Sequence, residues 1–241
     1  MTKLLASVTT VEEAGLAATC GADIIDCKDP SRGALGALPI ETVTSIRKAL
    51  PPRITLSATI GDMTSEPGPV AAATRAMSET GTNIVKVGFF PGGDARATIA
   101  ALGCLDLENV RLVGLLLADC DPDFTLIHDM ASAGFIGVML DTAGKANGGL
   151  RSHLAEPALS QFIALARKRG LFAGFAGSLA LSDIAPLMRL KPNVLGFRGA
   201  LCTGSIRTGQ LSGDAIRAVA AEMAGRRERE AIIPEPLGAT E

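Results

Sequence analysis

The 241-residue chain has no tryptophan and no tyrosine; its aromatic side chains are eight phenylalanines, 3% of the total. A base-stacking platform for nucleic acid needs more than that. Nor is there an excess of positive charge: 23 Lys+Arg stand against 25 Asp+Glu, formal net −2, so the basic footprint of a nucleic-acid partner is missing. Histidine is confined to His128 and His153, which share no ligand spacing, and this argues against a histidine-built catalytic metal site. The five cysteines (Cys20, Cys27, Cys104, Cys120 and Cys202) are odd in number and form no C-x-x-C. Neither a zinc knuckle nor a disulfide framework is expected from them, and they read as small packed side chains of a reducing compartment. No apolar run approaches the roughly 18 residues of a membrane span, and the apolar run after Met1 is too short for a signal peptide. The expectation is a soluble, cytoplasmic protein with neither nucleic-acid nor membrane partners.

What the sequence does contain is hydrophobic residues (47%) and glycine (27 residues) in a repeating order. Eight short apolar runs occur, at 3–8, 22–27, 54–60, 83–88, 110–117, 135–140, 171–176 and 193–198. Stretches with helical spacing follow them, near 11–20, 39–49, 68–80, 94–103, 123–133, 153–169, 182–190 and 212–224. Runs apolar at every position predict strands covered on both faces, as in a parallel sheet wrapped by helices. Thr9 or Thr10 can cap the first helix ahead of Glu12 and Glu13, and Gly21, Gly81, Gly134 and Gly170 stand where helices end. Eight units and no G-x-G-x-x-G after the first strand favour a single (β/α)₈ TIM barrel over residues 1–225, with an open doubly wound sheet as the alternative. Residues 226–241, beginning Arg-Arg-Glu-Arg-Glu, are expected to leave the barrel as a charged, loose tail.

In such a barrel the active site lies at the carboxyl ends of the strands. The residues there are Asp26-Cys27-Lys28, then Ser57, Thr59 and Asp62, then Lys86, Asp119, Asp141 with Lys145, Gly177-Ser178, and Arg198-Gly199. Lys86 interrupts an otherwise apolar strand, where an unpaired ammonium would cost several kcal/mol. Burial and neighbouring cations make a lysine amine more nucleophilic and able to form a Schiff base. Asp26 and Lys28 lie two apart on one strand and point the same way, while Cys27 between them faces the helices. Asp141 and Lys145 form a second acid–amine combination. Gly177-Ser178 and Arg198-Gly199, after the last two strands, read as a phosphate site of exposed amides with a hydroxyl and a guanidinium. His153 reads as an exposed residue at the start of a helix.

These segments also carry a resemblance. Gly21-Ala22-Asp23-Ile24-Ile25-Asp26-Cys27-Lys28-Asp29-Pro30, Ser57-Ala58-Thr59-Ile60-Gly61-Asp62, Lys86-Val87-Gly88, Asp141-Thr142, Ala176-Gly177-Ser178-Leu179 and Arg198-Gly199-Ala200 occur in this order. Over about residues 3–210 the chain resembles the (5-formylfuran-3-yl)methyl phosphate synthases of methanofuran and methylofuran biosynthesis. The resemblance implies a barrel enzyme without metal or organic cofactor that condenses two molecules of glyceraldehyde 3-phosphate into a furan aldehyde phosphate, losing phosphate and water. It places Lys28 at the Schiff-base position and Asp26, Lys86, Asp141 and Lys145 at the other active-site positions. The loop Leu117–Pro122 departs from the family pattern, so Asp119 receives no role from it.

On this reading one triose phosphate isomerises to a ketone, with Asp26 or Asp141 as base, and the ketone forms an iminium with a lysine. Aldol addition, elimination of phosphate, cyclisation and dehydration follow. The residues alone favour the more buried Lys86 for the imine; the resemblance favours Lys28. Ser57, Thr59, Asp62, Gly177, Ser178, Arg198 and Gly199 are the expected substrate-binding set. Alternatives are another Schiff-base aldolase, a phosphosugar isomerase, or a non-catalytic barrel that binds phosphometabolites. The helical outer faces lead us to expect a homo-oligomer.

Overall fold

A strand buried on both faces must lie inside a covered sheet, and β1 (Lys3–Val8) is buried at every position after Lys3. The computed structural model, which describes residues 1–144 and 148–232, continues with β2 (Ile24–Cys27), β3 (Thr55–Thr59), a two-residue β4 (Thr64–Ser65), β5 (Ile84–Gly93), β6 (Arg111–Leu117), β7 (Gly137–Asp141), β8 (Phe172–Phe175) and β9 (Val194–Phe197). All pair in parallel, in the order β3-β2-β1-β9-β8-β7-β6-β5-β4. The pairing of Ser57, Ala58 and Thr59 on β3 with Ile84, Val85 and Lys86 on β5 closes eight of these strands into a barrel. That pairing overturns the open-sheet alternative.

The helices α1 (Val11–Thr19), α2 (Ile40–Ala49), α3 (Pro67–Ser78), α4 (Ala95–Gly103), α5 (Leu126–Ser132), α6 (Leu150–His153), α7 (Glu156–Lys168), α8 (Leu181–Arg189) and α9 (Gly213–Ile232) alternate with the strands and cover the barrel. Thr10 caps α1 by accepting the Glu13 amide. The expected helix over 153–169 is instead two helices: Pro157 sits in the first turn of α7, where its fixed φ and missing N–H are tolerated. Strand β5 runs past residue 88, because Phe90 and Gly93 pair with Thr64 and Ser65 of β4. Helix α9 continues to Ile232, and residues 233–241 of the expected tail lie outside the described residues. No helix among the described residues is long and apolar enough to cross a membrane.

Alternation along each strand divides the side chains into two sets. Ala6, Val8, Ile25, Cys27, Leu56, Ala58, Val138, Leu140 and Phe175 face the helices in one large apolar cluster. Leu5, Ile24, Val113, Met139, Val194 and the packed ring of Phe172 fill the barrel interior. A Cβ on Gly137 would stand 2.4 Å from the Phe172 ring, so the ring occupies the space that the missing side chain leaves. This apolar plug fills the amino-terminal half. One layer higher the inward positions become Ser7, Asp26, Ser57, Lys86 and Asp141, all buried, and they form the floor of the site.

Candidate active site

A buried carboxylate needs donors on every side. Asp26, fully buried on β2, has them: Oδ1 accepts the Ser57 hydroxyl at 2.6 Å, and Oδ2 accepts the Ser7 hydroxyl at 3.1 Å and faces Lys86 Nζ at 2.7 Å. Strand register explains the meeting. Asp26 stands opposite Ser7 on β1 and Ser57 on β3, and Lys86 projects inward from β5, opposite Thr59. Burial pulls the Lys86 amine below its ordinary value; Asp26 pulls it back up and Lys28 pushes it further down.

Lys28, one residue past β2, sits above this layer and pairs with Asp141 at the end of β7, Nζ to Oδ2 3.2 Å. The sequence brings Asp26 and Lys28 to one side of one strand, but the pairing crosses the barrel: each takes its partner from another strand. Lys145 lies outside the described residues. All four charged groups line a cavity of about 380 Å³ at the carboxyl end of the barrel, together with Gly177, Ser178, Arg198, Gly199 and Arg207.

The far rim of this cavity is backbone. Gly177 and Ser178 both have positive φ, +97° and +50°. A Cβ on Gly177 would come within 2.9 Å of Thr142, so the turn requires glycine there. Ser178 has no such freedom, and its left-handed backbone is uncommon for a residue with a Cβ. No acceptor among the described residues takes the amides of Gly177, Ser178, Gly199 or Ala200.

The protein-family model for 4-HFC-P synthase matches residues 4–220. The chain belongs to this family of enzymes. It is 43% identical over 93% of its length to a Methylorubrum extorquens protein provisionally named (5-formylfuran-3-yl)methyl phosphate synthase, and the match covers 93% of that protein. It is 32% identical over 86% of its length to the (5-formylfuran-3-yl)methyl phosphate synthase of Methanosarcina acetivorans, covering 93% of that protein. Among solved structures, phosphoribosyl anthranilate isomerase from Thermus thermophilus superposes with a TM-score of 0.68 at 17% identity, covering 94% of this chain and 100% of that one. The 3-keto-L-gulonate-6-phosphate decarboxylase of Vibrio cholerae gives 0.67 at 16%, covering 95% and 98%. At these identities the two structures establish the shared barrel fold.

Several expected site residues of this 4-HFC-P synthase family member direct their polar groups at the protein itself. Arg198, expected to hold phosphate, directs all five N–H donors into the protein: to both carboxylate oxygens of Glu13 (2.6 and 3.1 Å) and to the carbonyls of Ser7, Arg207 and Gly209. The Thr59 hydroxyl donates to the carbonyls of Gly36 and Cys27. Asp62 accepts the amides of Ala34 and Leu35 at 2.8 and 2.6 Å and shapes the loop after β2. Asp119 accepts the amides of Ala143 and Gly144, at 2.7 and 2.6 Å, and thereby fixes the backbone just after β7. Burial works against that carboxylate, but the two amides outweigh it and keep its pKa below the ordinary value. His153 ends α6 rather than starting a helix; it is half-buried, and its Nε2 has no partner among the described residues.

Two participants escaped the sequence reading. Ser7 was hidden in an apolar run, although a lone serine among inward positions is a readable signal. Arg207 belongs to the loop before α9 and reaches the cavity only because that loop folds back over the barrel mouth. Spacing gives no hint of it. Among the described residues, no group of three or more His, Cys, Asp or Glu is placed to hold a metal ion.

Proposed function

We propose that the protein condenses two molecules of glyceraldehyde 3-phosphate into (5-formylfuran-3-yl)methyl phosphate through a Schiff base on Lys28, for methanofuran or methylofuran biosynthesis. The observation that carries this reading is the pair of buried lysine–aspartate couples stacked in one cavity beside a rim of unengaged amides. Lys28 is the amine nearer the mouth, and Lys86 lies beneath it in a closer ion pair. A substrate carbonyl entering the barrel meets Lys28 first.

The carbon skeleton constrains the order of steps. Aldol addition from an iminium of the ketone would join two three-carbon units end to end, whereas this furan is branched. A bond to the middle carbon of one unit is needed. One glyceraldehyde 3-phosphate isomerises to dihydroxyacetone phosphate. The aldehyde of the other forms an iminium with Lys28 and releases water. Asp141, beside Lys28, takes the proton from the middle carbon, and the resulting enamine expels phosphate from the terminal carbon. That terminal carbon, now the end of an enol, attacks the ketone of dihydroxyacetone phosphate. The Lys86–Asp26 couple supplies a proton to the alkoxide that forms, and burial makes the Lys86 ammonium the readier donor. Ring closure by the free hydroxyl, loss of two waters and hydrolysis of the imine give the furan aldehyde. No step requires an oxidant.

The test is purified protein with glyceraldehyde 3-phosphate alone, read by ultraviolet absorbance and mass spectrometry, with borohydride added to a parallel sample for peptide mapping. A furan aldehyde phosphate and a reduced adduct on Lys28 are expected. An adduct on Lys86 would move the imine. A trapped imine without furan would make the protein an ordinary aldolase, and absence of both would leave a phosphometabolite-binding barrel.

A further inference from the structure

Two phosphorylated substrates bring two phosphate groups into one cavity, and the amide rim at Gly177, Ser178 and Gly199 accounts for one. Arg198, the cation expected beside that rim, has no N–H left to give to either. Arg207 does. It is half-buried and lines the same cavity, and among the described residues its guanidinium makes one hydrogen bond, Nη2 to the Gly33 carbonyl at 3.0 Å. The other four N–H groups have no acceptor there. That bond fixes where the charge lies. Gly33 is in the loop after β2, so the side chain crosses from the β9 side of the mouth to the β2 side, in the cavity that Lys28 also lines. The carboxylates that act on it are Asp141, Asp62 and Asp29, with Arg198 opposing. Burial draws the guanidinium below its ordinary value, as expected of a cation short of a counter-ion.

We infer that Arg207 is the second phosphate ligand and holds the phosphate that leaves. The inference rests on the proposed furan synthesis. The proton on the middle carbon goes to Asp141, the bond between the terminal carbon and the phosphate oxygen breaks with its electron pair going to that oxygen, and Asp141 passes its proton to the same oxygen, so that phosphate leaves as the hydrogen phosphate dianion. A guanidinium that lines the same cavity as Asp141 and feels its charge can bind that dianion as its charge develops, and its planar fork matches two phosphate oxygens.

The experiment compares wild type with Arg207→Gln and Arg207→Lys. Titration with inorganic phosphate, followed by calorimetry, should give two sites per chain in wild type and one in Arg207→Gln. With glyceraldehyde 3-phosphate, Arg207→Gln should still yield the borohydride-trapped imine while release of inorganic phosphate falls on the order of 100-fold, the scale of losing one transition-state donor. Arg207→Lys, which keeps the charge without the fork, should fall between and serves as the readout if the glutamine variant does not fold. Two phosphate sites and unchanged phosphate release in both variants would overturn the inference. Loss of the imine together with the second site would overturn the leaving-group role. If wild type makes neither imine nor furan, the proposed synthesis fails, whereas the phosphate stoichiometry still decides whether Arg207 binds an anion.

Discussion

Lys86 is held in the barrel by one carboxylate, and that carboxylate is held by Lys86 and two serine hydroxyls. Removing the cation leaves Asp26 buried with hydroxyl donors alone. Lys86→Met should therefore cost about 3–5 kcal/mol at neutral pH, read by urea unfolding. The same residue makes stability depend on alkaline pH. Its folded value is lowered from 10.5, so between the two values the unfolded chain binds the proton and the folded chain does not. Stability from this group is fully present above 10.5 and is lost as pH falls through the lowered value. The difference between wild type and Lys86→Met should change across that window; a constant difference would contradict the lowered amine. Ser178 offers the opposite kind of test. Its left-handed backbone, φ +50°, costs a serine about 1 kcal/mol that glycine does not bear. Ser178→Gly should raise the melting temperature while furan formation slows for want of the hydroxyl; a fall in both would show that the side chain supports the fold.

At the scale of elements, the strands and most helices were legible because burial on both faces gives unbroken apolar runs, and an eightfold count of such runs has few solutions. The break between α6 and α7 was legible in principle from Pro157. The extension of β5 was not, since Pro91, Gly92 and Gly93 are poor strand formers, and the strand continues only because Phe90 and Gly93 pair with β4 alongside. The lysines and aspartates of the site could be read as strand-end residues. Their pairing could not, because Lys28–Asp141 joins residues 113 apart in sequence and depends on how the barrel closes. Arg198 misled for a related reason: its partner Glu13 is on α1, which wraps back beside β9 when the first and last barrel strands pair. This bond makes an element-level prediction. Burial pushes the Glu13 carboxyl up, but its bonds to Arg198 and Thr9 outweigh that and leave it below 4.5. Its stabilising contribution is present above pH 4.5 and lost as pH falls through the lowered value. Glu13→Gln should be less stable than wild type by about 2 kcal/mol at pH 7 and should converge with it in acid, as followed by unfolding at stepped pH. A gap that persists in acid would assign the loss to packing.

For the whole molecule, the loops proposed to hold phosphate come from β8 and β9, whereas the lysines and aspartates come from β2, β5 and β7, so ligand and fold should be linked around the barrel. Inorganic phosphate at about 100 times its dissociation constant should stabilise the native state by about 2.7 kcal/mol for each site, seen as a rise in melting temperature that saturates with concentration. A melting temperature indifferent to phosphate would remove the amide rim from the site. The arginine that disappointed as a ligand has a wider consequence. Arg198 grips the carbonyls of Arg207 and Gly209, so Glu13 steadies Arg198 and Arg198 steadies the loop that carries Arg207. One residue near the start of the chain and two near its end thus form one heritable unit. Along a lineage, exchange of Glu13 for a neutral residue should be followed by change at 198, and drift at either position should be felt first by whatever anion the loop presents its second arginine to.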